Sequence, residues 1–249
     1  MLETYLINLD RSPDRLAAFA ARNRHLPPFQ RFAAVDGQKL SRAELYERGV
    51  FTPEVDYTDG AVGATLSHLS LWDLAITQDK PITIVEDDAI FNVNFVDDHR
   101  ALLNATDPNW HLFMWGYNFD SPLLVRTVPH ISPFSIHFSQ HSLRGNWQAF
   151  QDASLEPRAF KLVQGCGLAC YSVSSEGARI LKEFCVPIRK MWVKFEGLDR
   201  SVSNYGLDIM MNAIYIHMNA YVCFPPLVVA LNDHAASLSQ PPHLHPARW

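Results

Sequence analysis

Charge is sparse in this chain, and positive charge is nowhere concentrated. Charged residues make up 19% of the 249 positions, the formal net charge is -5, and no polybasic segment occurs. That excludes the basic footprint of a nucleic-acid binder and an electrostatic hold on anionic lipid. Cysteine is equally scarce: Cys166, Cys170, Cys185 and Cys223 have no paired C-x-x-C spacing, so they read as reduced core thiols and not as disulfides or a zinc site. No apolar run is long enough to span a bilayer, because the most apolar region, Ile209 to Leu231, is broken by Asn212, His217, Asn219, Pro225 and Pro226. Met1-Leu2-Glu3-Thr4-Tyr5 leads straight into a strand pattern without the basic head and apolar core of a signal peptide, and a cytoplasmic location is the expectation. A Gly-rich Walker loop and a multi-histidine metal set are also missing.

What remains is a composition suited to an ordinary globular protein, 48% hydrophobic, with length enough for one large α/β domain. Its centre is Pro81-Ile82-Thr83-Ile84-Val85-Glu86-Asp87-Asp88-Ala89, a run of β-favouring apolar residues that stops at consecutive carboxylates. Such a run suits a strand buried on both faces of a parallel sheet. Adjacent acids at its end repel one another unless a cation or a set of donors sits there, and ligands of open α/β sheets bind at the carboxyl ends of strands. A metal ion with an anionic ligand is the expected occupant.

Taken in order, Tyr5–Leu9 reads as a first strand, and Ser12 and Pro13 open a helix as N-cap and first helical residue. Arg11 and Arg15 flank that helix start, where they either meet an anion such as a diphosphate or neutralise Asp10 and Asp14. A second strand, Phe29 to Val35, ends at Asp36-Gly37, where Asp36 either touches a ribose or starts a turn. Ser41 and Glu44 have capping-box spacing for a short helix that stops near Gly49. Asp59 is placed as the cap of the next helix, which carries Leu66, Leu69, Trp72 and Ile76 as a core stripe. Gly60, Gly63 and Ala64 in its first turns admit a ligand or another backbone, and His68 is either a hydrogen-bonded structural residue or a catalyst.

Beyond the acids, Phe91 to Leu103 reads as helical and His111–Trp115 as a buried strand. The segment 117–160, with Pro122, Pro129, Pro133 and Pro157, reads as an irregular lid or acceptor-loop insert, or as a region hiding a few short strands. Gly165 to Val173 resumes as a small-residue strand, and Ser174 caps the helix bearing Ala178, Leu181, Phe184 and Cys185. Gly206-Leu207-Asp208 precedes a helix from Ile209 to His217, and Ala220 to Phe224 forms a strand. The domain is expected to end at 236, with a fraying proline- and histidine-rich tail at 237–249.

If a nucleoside diphosphate leaves in the reaction, its growing charge is best met by a hard divalent cation on carboxylate oxygens. Glu86 and Asp88 supply two ligands, and His234 or Asp233 a third. A separate carboxylate must deprotonate an incoming hydroxyl. Asp208 fits that need, or serves as an N-cap, with Asp199 second.

Five blocks carry a resemblance: Tyr5–Arg15, Ala33–Gly37, Gly60–His68, Val85–Ala89 and, more weakly, Gly167–Ala178. In this order and at these separations, the chain resembles glycosyltransferase family 25, the lipooligosaccharide galactosyltransferase type also found in collagen-modifying enzymes. The resemblance implies a single GT-A-like, Rossmann-like α/β domain with a mixed, mostly parallel central sheet. It implies inverting transfer of a hexose from a nucleotide sugar, most often UDP-galactose, usually with Mn2+ (or Mg2+). Carried over, Glu86, Asp87 and Asp88 hold metal and donor, and Asn8, Asp10, Arg11, Arg15, Asp36, Gly63 and His68 belong to the donor pocket. The implied acceptor is a glycan or glycolipid hydroxyl, such as that of a lipooligosaccharide, with at most peripheral contact with the inner membrane and no nucleic acid partner. Two other classes stay open on the residues: a metal-dependent phosphohydrolase or nucleotidyltransferase, and a non-catalytic nucleotide-sugar-binding protein.

Overall fold

The computed structural model describes residues 1–128 and 131–231. The chain opens with β1 (Glu3–Asn8), α1 (Pro13–Arg22) and β2 (Gln30–Ala33), then a 3-10 turn over Gly37–Lys39, α2 (Arg42–Glu47) and the long α3 (Asp59–Gln78). Next come β3 (Ile82–Glu86), β4 (Ala89–Phe91), α4 (Phe95–Ala105) and β5 (Leu112–Gly116). The middle holds β6 (Leu123–Val128), β7 (Ser132–Ile136), α5 (Gln140–Asp152), β8 (Arg158–Gln164), β9 (Cys170–Val173) and α6 (Ser175–Cys185). The last part holds β10 (Trp192–Phe195), β11 (Arg200–Ser203), α7 (Leu207–Met211), β12 (Ala220–Phe224) and β13 (Val228–Ala230).

One large mixed sheet runs β2-β1-β3-β9-β5-β12-β8-β6-β7, with β13 beside β5 and β4 on β13, while β10 and β11 form a separate hairpin. β1 pairs in parallel with β2 and β3, and β5 with β12 and β13. The remaining pairings in the sheet are antiparallel and outnumber these, so the expected mostly parallel sheet is corrected to a mixed, mostly antiparallel one. The decisive insertion is β9, which runs against both β3 and β5. An apolar run such as Cys170–Val173 carries no mark of its direction, which is set by the connections on either side.

Both faces of the central strands are covered, as the apolar run before the acids requires. Ile82 and Ile84 of β3 face a core built with Leu69 and Trp72 of α3 and Leu181 of α6. Val85 faces the other core with Phe19 of α1 and Phe95 of α4. Thr83, on the second face, is satisfied by Ser172 Oγ at 2.8 Å. Local signals place the helix ends: Ser41 Oγ accepts from the Glu44 N–H, Ser174 Oγ from the Gly177 N–H, and Pro13 stands at the start of α1. Asp59 is not the cap of α3. Thr58 is, with its Oγ1 accepting from the Ala61 N–H at 3.1 Å, and Asp59 is the first helical residue.

Among the described residues of 117–160 most lie in regular elements, the hidden-strand alternative to an irregular lid. They build β6, β7, α5 and the start of β8. Pro122 precedes β6, Pro157 precedes β8, and Pro133 lies in β7 at the sheet edge, positions where a missing N–H costs no ladder bond. Asn146 breaks helical geometry within α5. All four cysteines are free. Among the described residues no helix is long and apolar enough to cross a membrane.

Candidate active site

The mixed topology brings several strand ends to one edge. β1, β2, β3 and β5 all run the same way, so their carboxyl ends share a side, and the loop that enters antiparallel β9 reaches the same side. A cavity of about 430 Å3 opens there. From the strand ends it takes Asn8, Asp36, Glu86–Asp88 and Asn118, from α1 Arg15, and from α7 Asp208.

The three acids have different partners. Asp87 is committed to the protein: it accepts from Asn8 Nδ2 at 2.7 Å and from Arg15 Nε at 2.8 Å, and pairs with the Arg15 guanidinium. Asn8 in turn receives Arg31 Nε at 3.1 Å. Arg15, read as a phosphate ligand or a neutraliser of its neighbours, thus anchors the acidic turn. Glu86 accepts from His68 Nε2 at 3.2 Å. Asp88 keeps a buried Oδ1 with no partner among the described residues. Burial pushes the Asp88 carboxyl up to about 7; Glu86 and Asp87 add to this and Arg15 opposes it.

His68 is buried and its ring is held from both sides. Trp72 Nε1 can only donate, and it donates to the Tyr171 hydroxyl at 2.9 Å. The Tyr171 hydroxyl lies 2.9 Å from His68 Nδ1, and the other ring nitrogen, Nε2, is aimed at Glu86. His68 therefore positions Glu86, an intermediate outcome between the structural and the catalytic reading.

Asp208 lies in the first turn of α7, and the cap position belongs to Gly206. Its Oδ2 accepts from the Gly167 N–H at 2.9 Å, and Gly167 has φ +88°, a left-handed geometry that glycine adopts without strain. Burial pushes the Asp208 carboxyl above the usual carboxylate range, the N–H groups of Gly167 and Ile209 oppose this, and the charges of Glu86 and Asp120 add to the rise. The result is a carboxylate in the cavity wall with raised basicity, as a general base requires.

Other expected residues fall elsewhere. Arg11 lines the cavity but holds Asp36 through Nε at 3.1 Å, and Asp36 also accepts from the Gln38 N–H as cap of the 3-10 turn. Asp10 is not in the cavity wall; it is exposed and pairs with Arg31 at 2.6 Å. Gly63 is not in the cavity wall either. A Cβ there would fall within contact distance of the Val35 carbonyl oxygen and 2.8 Å from the Gly37 nitrogen, so the glycine lets α3 pack on the loop after β2. Gly63→Ala is expected to lower stability by about 1–3 kcal/mol, read by chemical denaturation. Asp199, the second base candidate, is the left-handed residue between the 3-10 turn at 196–198 and β11, away from the cavity wall. His234 and Asp233 lie outside the described residues, as do the domain end at 236 and the tail.

Sequence reading missed Asn118, Asp120, Ser121, Cys166 and Tyr205, which complete the wall. Asn118 and Asp120 follow β5, so the rule that ligands sit past strand carboxyl ends points to them. Cys166 and Tyr205 carry no such signal, and Cys166 lines the cavity while packing against the small core of Val193, Phe195 and Ile209.

The donor set suits a hard divalent cation in part. Glu86 and Asp88 offer carboxylate oxygens, and the buried Asp88 Oδ1 is an unmet acceptor among the described residues. Among the described residues no cluster of at least three His, Cys, Asp or Glu forms a complete cage. A cation held on two carboxylates takes its remaining ligands from phosphate oxygens and water, the usual arrangement for small divalent ions at nucleotide sites.

Comparison with known proteins agrees with the sequence blocks. A Drosophila melanogaster protein named "Glycosyltransferase 25 family member" is 32% identical over 110 residues, which cover 40% of this chain and 18% of that protein; the chain thus matches less than a fifth of that relative's length. The crystal structure of A197 from STIV aligns with a TM-score of 0.40 at 11% identity, over 89% of this chain and 81% of that one, a likeness too low to argue from. Residues 1–194 match the family model described as "Glycosyltransferase family 25 (LPS biosynthesis protein)", well over half of the chain, and the chain belongs to glycosyltransferase family 25.

Proposed function

We propose that this protein transfers a hexose, with UDP-galactose as the first donor to test, to a hydroxyl of a glycan acceptor such as a lipooligosaccharide, with inversion at the anomeric carbon. The observation that carries the proposal is one cavity shared by two kinds of carboxylate: the Glu86–Asp88 turn at the end of β3, and Asp208 of raised basicity on α7. Membership of the family favours glycosyl transfer over the phosphohydrolase, nucleotidyltransferase and non-catalytic readings.

In this reading Glu86 and Asp88 hold Mn2+ or Mg2+ together with the donor diphosphate. The cation supplies positive charge that offsets the charge growing on the departing nucleoside diphosphate. Asn8 and Arg15 keep Asp87, and so the whole turn, in place. His68 fixes one carboxylate oxygen of Glu86. Asp208 takes the proton of the acceptor hydroxyl while its oxygen bonds to the anomeric carbon and the carbon–oxygen bond to the diphosphate breaks. The products are a new glycoside and an intact nucleoside diphosphate.

Product analysis tests this. UDP-galactose and Mn2+ incubated with a glycan acceptor panel are expected to give UDP and a β-linked galactoside, identified by the large anomeric proton coupling in NMR. Nucleoside monophosphate or pyrophosphate as product would instead place the chemistry at phosphorus and sink the proposal.

A further inference from the structure

A transferase needs room for a second substrate, and the structure has a second cavity joined to the first. It measures about 390 Å3, within the range of ligand pockets, and the two cavities share Asp120 and Ser121 as a common wall. Asp208 stands in the first cavity close enough to that wall to feel the Asp120 charge.

The lining of the second cavity has a distinct chemistry. One wall is aromatic: Phe119 and Phe138 stack at 4.2 Å between centroids and are only half-buried. The rim carries exposed His137 and His141, whose ring nitrogens can donate or accept. Gln140 is fixed by its Nε2, which donates to the Leu231 carbonyl at 2.8 Å, while its Oε1 is buried without a partner among the described residues. Ser121 Oγ is likewise buried, and its partner among the described residues is the Cys166 thiol. An unpaired buried acceptor is a cost to the folded protein, and a ligand hydroxyl removes it.

A pyranose ring matches this lining. It has a face of C–H groups, whose hydrogens suit the negative face of an aromatic ring, and a rim of hydroxyls that both donate and accept. Arg144 also lines the cavity, its Nε donating to the Leu231 carbonyl at 3.1 Å, and Asp120 stands at the junction. We infer that the second cavity is the acceptor subsite and binds a pyranoside, with one hydroxyl directed past Asp120 and Ser121 toward Asp208. The inference rests on the glycosyltransferase reading of the first cavity and adds the place and class of its second substrate.

The test uses p-nitrophenyl α- and β-galactosides and glucosides as probes, followed by saturation-transfer NMR with UDP and Mn2+ at saturating concentration. At least one probe is expected to bind wild-type protein. His141→Trp, at an exposed position, fills the cavity and should weaken that probe at least tenfold, while UDP affinity measured by calorimetry stays within twofold. His141→Ala, which removes one rim group without filling space, should weaken it only severalfold. If UDP binds but no probe does, or if His141→Trp leaves probe binding unchanged, the acceptor assignment is overturned. Failure of UDP itself to bind wild-type protein overturns the donor reading beneath it, which distinguishes the two.

Discussion

Asp208→Asn is expected to lower the rate of sugar transfer by about 10²–10⁴-fold, the span of a lost general base, and to leave UDP affinity within about threefold. The amide keeps an oxygen to accept the Gly167 N–H, so the tie between α7 and the loop before β9 survives. What it loses is the ability to take a proton. Burial has already made that carboxylate more basic than usual, so the substitution removes a group tuned for the step. Rapid-quench measurement of transfer, beside a denaturation curve, separates this from a structural role. A variant that transfers at the wild-type rate, or that loses activity only in proportion to lost folding, would show that Asp208 serves the fold alone.

Asp88→Asn should have effects of opposite sign on stability and function. In chelator, the variant is expected to be more stable than the wild type by up to about 4 kcal/mol at pH 8, because a raised carboxyl pKa in the folded state is a direct cost to folding once the group must ionise. The sign follows from the folded carboxyl lying at about 7 while the ordinary value is near 3.8. As pH rises through that window, the unfolded chain ionises first and the folded wild type is penalised, fully so above pH 7. The gain therefore fades as pH falls toward 4. Thermal melts at both pH values check it. Function should move the other way, with metal-dependent transfer lost. A buried charge held against its environment at a ligand site is the expected mark of a residue kept for binding and not for stability.

Local signals made much of this fold legible. The strand Ile82–Glu86, the capping roles of Ser41 and Ser174, and Pro13 at the start of α1 each follow from a few neighbouring residues. Strand direction did not follow, because nothing in Cys170–Val173 shows that it enters between β3 and β5 from the opposite end. The prolines of 117–160 suggested disruption, yet Pro122 and Pro157 stand before strands and Pro133 on an edge strand, where they are tolerated.

The site was legible where its residues are consecutive or lie at a strand end. Glu86 to Asp88, Asn8 and Asp36 all line the cavity. Partner choice was not legible: whether Arg15 meets a phosphate or Asp87 depends on a residue 72 positions away. Gly63 misled because small size suits a ligand and a backbone equally, and only the fold shows Val35 and Gly37 against it. Asp120 and Tyr205 arrive from loops distant in sequence, joined to the acids only by the folded sheet.

Calorimetry of UDP binding, in Mn2+ and in chelator, on wild type and Asp88→Asn tests the central claim most directly. The acidic turn as a metal and diphosphate site predicts binding to wild type that requires Mn2+ and falls at least tenfold in the variant. Equal binding in chelator, or equal binding by the variant, would contradict it.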